Sequence, residues 1–162
     1  MPDNTANSLQ LFLHEGDRIV RASSEDEAAA QSYCSFPQKG LVFQGYRITI
    51  LTREVKYQIG DPVRVIHIVE AVATGTQLYV MGPKVIHGEY VDGVLVTQPF
   101  REGEHPLAPS WYDGRVIDGP AIDYNYEITE YRFDTPGIHR IQWCLGDLVS
   151  NTLEVLVHPP RE

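Results

Sequence analysis

From residue 40 to its end, this chain is interrupted by turn residues about every ten positions, with short β-branched runs between them. That spacing leaves no room for long helices and favours strands. Tyr46–Leu51, Val63–Val72, Gln77–Met81, Val85–Val91, Val94–Gln98, Tyr126–Phe133, Ile138–Cys144 and Thr152–Val157 each fit one. The turns between them are written in Gly, Pro and Asp: Gly60-Asp61-Pro62, Thr74-Gly75, Gly82-Pro83, Asp92-Gly93 and Asp134 to Gly137. Asp92-Gly93 between two apolar runs is a strong hairpin signal and predicts a type I′ turn, whose central residues both need positive φ. In Val63–Val72 the apolar residues fall on both sides (Val63, Val65 and Val69 against Ile66, Ile68 and Val72), which predicts burial of both faces.

Composition agrees. There are 16 Val and 12 Ile against 12 Leu and 9 Ala, a β-rich usage. At 162 residues, one domain is expected, large enough to fold without a metal or disulfide staple. The two cysteines, Cys34 and Cys144, are far apart and follow no metal-binding spacing, so a buried free thiol is the expectation for each.

Residues 1–40 differ from the rest. They are polar and acidic, with short apolar patches at Leu9-Leu11-Leu13 and Ile19-Val20. They read as an N-terminal extension, with 41–162 as the main domain. Their clearest signal is a helix over about 24–33. Ser24 is the expected N-cap and Glu27 closes a capping box, with Ala28–Ala30 favouring helix behind it.

Seven or so short strands with regular turns predict an all-β, antiparallel sandwich. A resemblance adds to this. Tyr131, Phe133, Pro136-Gly137, His139, Ile141 and Trp143, followed by Gly146, Asn151, Leu153, Val155 and Val157, resemble the closing strand pair of immunoglobulin-like domains in bacterial proteins. Upstream, Gly60-Asp61-Pro62-Val63 resembles the approach to the second core strand of such domains. The resemblance covers about residues 45–158 and implies an immunoglobulin-like fold rather than a function. The chain departs from the pattern at His139, where a corner tyrosine is usual. It departs again in the long 99–124 connection and the N-terminal extension. The resemblance casts His139 as a corner residue whose ring hydrogen-bonds to backbone.

The net charge of −9 makes nucleic acid and anionic membrane poor partners, because phosphate repels an acidic chain. No run of about 18 apolar residues predicts a membrane span. Met1-Pro2-Asp3-Asn4 lacks the basic start of a leader, so a cytoplasmic protein is expected.

Three groups of residues carry candidate chemistry. His87 and Glu89, two apart on an expected strand, would share a face and could reach one ligand; a solvated hairpin face is the plainer alternative. A metal would need a third ligand, and none stands at a fixed spacing, so no metal and no cofactor are expected. His67 and Glu70 fall on opposite faces, and His67 is expected to be a core histidine satisfied by backbone. The 99–124 connection gathers His105, Trp111, Tyr112, Asp113 and Arg115, and residue types of this kind dominate interface energetics. The leading expectation is therefore a non-catalytic module that binds a protein or small-molecule partner through 99–124. One alternative is a small lyase, isomerase or cyclase using His105, His87, Glu89 and Asp113 as acids and bases at the mouth of the sandwich. Another is a structural subunit in which exposed sheet edges pair two copies into a homodimer.

Overall fold

The computed structural model describes residues 12–15, 18–80, 84–99, 115–124 and 126–159. The described chain runs β1 (Phe12–Glu15), β2 (Arg18–Arg21), α1 (Ser24–Gln31), β3 (Tyr46–Leu51), β4 (Lys56–Gln58), β5 (Val63–Ala71) and β6 (Gln77–Val80). It continues with β7 (Glu89–Val91), β8 (Val94–Leu95), β9 (Arg115–Asp118), β10 (Ala121–Asp123), β11 (Glu127–Tyr131), β12 (Gly137–Leu145), β13 (Leu148–Val149) and β14 (Leu153–His158). The protein is mostly β with one short α-helix. Among the described residues no helix is long and apolar enough to cross a membrane.

Two six-stranded sheets carry the fold. In the first, β3 lines one edge of β5, while β10 and β11 share its other edge and β1 and β2 follow. The second runs β4-β14-β12-β7-β8, with β13 folded back on β12. β6 and β9 form a separate pair. The purely antiparallel arrangement expected from the turns is corrected at two places: β1 runs parallel to β11, and β4 runs parallel to β14. Both parallel pairs join segments remote in sequence, so no turn signal specifies them.

The sheets share one core. Ile48, Ile50, Val63, Val65 and Val69 of the first meet Ile141, Trp143, Val155 and Val157 of the second. Each such side chain contributes about 1.5–3 kcal/mol on full burial. A smaller cluster lies on the other side of the first sheet, where Ala30 and Tyr33 cover Leu51, Ile66, Ile68 and Ile128. This explains the double-sided pattern of β5. Its odd-numbered residues face the second sheet and its even-numbered residues face the helix.

α1 starts one residue earlier than the sequence implies. Ser23, not Ser24, is the N-cap; its Oγ accepts from the Asp26 amide and donates to the Asp26 carboxylate at 3.0 Å. The box register is therefore Ser23 with Asp26, which keeps the carboxylate near the positive end of the helix. Asp26 is fully buried and pairs with Arg64 of β5 at 2.7 Å, tying helix to sheet. Past Gln31 the chain tightens into a 3₁₀ turn over Ser32–Ser35, and Pro37 follows.

The outer edge of β3 is closed by a side chain. Asn151 accepts from the Ile50 amide at 2.8 Å and donates to the Ile50 carbonyl at 2.9 Å. The two cysteines are free. Cys34 is exposed, correcting the expectation of burial, and Cys144 is half-buried on the outer side of β12, where burial pushes its thiol pKa up.

Candidate functional site

β5 turns His67 toward the second sheet, and β7 turns Glu89 toward the first. The His67 Nε2 lies 2.5 Å from Glu89 Oε2, and both side chains are fully enclosed. The His67 Nδ1 lies 3.0 Å from the Glu127 carbonyl. Both ring nitrogens thus lie against oxygen atoms, one of a carboxylate and one of a backbone carbonyl. Glu89 Oε1 accepts from Thr129 Oγ1 at 2.6 Å and from the Tyr131 hydroxyl. Burial by itself would raise the Glu89 pKa, but the His67 charge and the three side-chain hydrogen bonds hold it below the ordinary carboxylate value. The partner hydroxyl of Tyr131 moves the other way, raised by burial and by the Glu89 charge.

Aromatic rings extend this cluster. Trp143 stands edge-on to His67 at 4.9 Å and to Tyr126 at 5.4 Å, and its Nε1 donates to the His87 carbonyl at 2.9 Å. Beyond Tyr126, Lys84 lies over its ring at 4.5 Å and pairs with buried Asp123 at 2.5 Å. Two buried polar pairs, His67–Glu89 and Lys84–Asp123, are thus joined through the Tyr126–Trp143 ring contact.

This arrangement corrects the expected pairing of His87 with Glu89. Gly88 sits between them at φ +77, and a Cβ there would lie 2.1 Å from the Cys144 carbonyl oxygen. The positive φ departs from the regular strand geometry on which a shared face depends. Glu89 instead enters the core and spends its carboxylate on His67, Thr129 and Tyr131. His67 has the expected backbone hydrogen bond and also a carboxylate partner. That partner stands 22 residues away on the other sheet, and strand periodicity carries no signal for it. Glu70, as expected, faces the opposite side of β5. There it accepts from Tyr33 and Arg47 at 2.5 and 2.8 Å, and these bonds lower its pKa against the effect of burial.

His139 forms a second, shallower cluster. Its Nε2 donates to the Thr135 carbonyl at 2.8 Å, its Nδ1 to Asp92 Oδ2 at 2.6 Å, and its ring stacks on Phe133. Burial lowers its pKa, but the Asp92 and Thr135 hydrogen bonds outweigh this and raise it overall. Asp92 lies at φ 51 and Gly93 at φ 81, the positive pair expected of this hairpin turn.

His105, Trp111, Tyr112 and Asp113 lie outside the described residues. Arg115 opens β9, where its backbone pairs with Val80. Among the described residues no three His, Cys, Asp or Glu side chains come together to hold a metal ion. No family model, no curated protein and no solved structure matches this chain.

Proposed function

We propose that the protein is a non-catalytic binding module on an immunoglobulin-like β-sandwich, recognising its partner through the 99–124 connection. The observation that carries this reading is the complete enclosure of the His67–Glu89 pair. An acid–base catalyst needs a group that a substrate can reach. Here Glu89 is committed to three internal donors, so the enzyme alternative loses one of its four acid–base residues. The pair acts instead as a brace between two sheets, and a rigid body of that kind suits the display of a loop. Trp111, Tyr112 and Arg115 supply the residue types that dominate interface energy. The immunoglobulin-like reading is supported by the shared core of the two sheets and by the bond from His139 to the carbonyl four residues upstream, the geometry of a tyrosine corner.

Affinity capture with the wild-type chain and with Trp111→Ala tests the reading. A partner held by the wild type and released by the variant is the expected result. A partner held equally by both, or turnover of a substrate by the purified protein, overturns it.

A further inference from the structure

The outer faces of the two sheets are treated unequally. On the first, Ala30 and Tyr33 cover the apolar residues. On the second, β12 and β14 present three successive cross-strand rows outward: Ile138 beside Leu156, Arg140 beside Glu154, and Gln142 beside Thr152. Ile138 is 55% exposed, and the Arg140 and Glu154 side chains, paired at 2.9 Å, are 60% and 53% exposed. Each row matches its two members in kind: apolar with apolar, cation with anion, amide with hydroxyl.

We propose that this face docks a second copy of the chain about a two-fold axis that lies between β12 and β14 and runs parallel to them. Such an axis lies in the interface plane. It places β12 over the partner's β14 and returns every row to itself. Ile138 then packs on the partner's Leu156, and Arg140 meets the partner's Glu154 twice, once on each side of the axis. Any other row order would oppose like charges or strand an ion against an apolar side chain. Stacked sheets cross at about 30°, so register is closest in the central Arg140–Glu154 row.

Overall charge favours this face over others. The chain carries −9, and self-association through an acidic surface meets repulsion. The strand residues of this face bring Lys56 and Arg140 against Glu154, with His158 at one end and the turn residue Asp92 beside Arg140, so the face is near neutral where the chain as a whole is acidic. The five strands β4, β14, β12, β7 and β8 hold 3, 6, 9, 3 and 2 residues; at about 3.4 Å by about 4.8 Å each, these span on the order of 400 Å² of flat area per copy. A standard interface buries about 800 Å² per partner, so the dimer is reversible and governed by concentration. The surface uses no residue of 99–124, and partner capture through that connection is a separate readout.

Sedimentation velocity from roughly 10 µM to 1 mM tests the proposal, a range set by micromolar to millimolar dissociation. The wild type is expected to shift from monomer to dimer across it. Arg140→Glu makes the central row wholly acidic and Glu154→Arg makes it wholly basic; each alone is expected to weaken the dimer about tenfold or more. An equimolar mixture of the two variants is expected to dimerise again, because the acidic row of one then faces the basic row of the other. Ile138→Asp is expected to weaken the dimer similarly while leaving the far-ultraviolet spectrum unchanged, at a urea-midpoint loss no greater than the modest strand penalty of an aspartate. A wild type that stays monomeric at the highest concentration overturns the proposal. So does a dimer indifferent to both charge reversals, or a mixture no tighter than its components.

Discussion

Replacing Glu89 by leucine keeps roughly its volume and removes both its charge and its acceptors, which isolates what the buried cluster does. His67 Nε2 and the Thr129 and Tyr131 hydroxyls would then be left in the core without their carboxylate. Breaking a buried pair from one side costs about 3–5 kcal/mol, so Glu89→Leu is expected to lower the urea midpoint sharply. Removing both partners together, as in His67→Leu with Glu89→Leu, is expected to recover part of that loss, because the desolvation cost disappears with the attraction. A double variant no more stable than Glu89→Leu would show that the pair contributes more than its desolvation takes. Each of these two residues is conspicuous in the sequence as a polar residue among Val, Ile and aromatics, but their partnership is not. It is fixed by the distance between two sheets, a quantity absent from local pattern. The nearby pairing that local pattern does offer, His87 with Glu89, is the one the positive φ of Gly88 disfavours.

At the level of elements, the β7–β8 hairpin is held to β12 by its own turn residue. The Asp92 amide donates to the Arg140 carbonyl at 2.7 Å, Asp92 Oδ1 accepts from the Arg140 amide at 2.8 Å, and Asp92 Oδ2 accepts from His139 Nδ1. The charges facing His139 are Asp92, which pairs with it, Asp134 just upstream and Arg140 beside it in the strand. Its pKa is raised in the folded state, so its contribution is complete below the unfolded value of about 6.5 and is lost as pH rises through the folded value. The urea midpoint is therefore expected to fall on the alkaline side of 6.5, and His139→Phe, which keeps the ring stack on Phe133, is expected to flatten that fall. Equal slopes in the two proteins would remove His139 as the cause. This hairpin was legible because Asp-Gly states its own geometry. Tyr46–Leu51 was legible for a related reason, since one strand of strict alternation with few competing signals reads directly as β3. β4, β10 and β13, two or three residues each, are not, because so short a run has no period.

The whole molecule depends on contacts between distant parts of the chain. Val65 pairs with Thr129, Leu156 with Lys56, and Phe12 with Glu127. Folds of this kind close long loops before their sheets are rewarded, and they fold in milliseconds to seconds. Their layering is only partly legible. The double-sided apolar pattern of β5 announces a middle layer, and the parallel partners are set by space left over after the antiparallel pairs form. During that slow assembly, unpaired strand edges are exposed to other chains. Asn151 occupies both hydrogen-bonding groups of Ile50 on the side of β3 away from β5, groups that a further strand would otherwise pair. The amide of one side chain thus works as a lock against templated growth. Asn151→Ala is expected to shorten the lag of fibril formation, read by thioflavin fluorescence under agitation, by more than its loss of stability accounts for. A stability-matched variant elsewhere in the core with the same lag would show that the edge was never the point of entry. Resistance to strand addition would then rest on where one carboxamide sits as well as on surface charge.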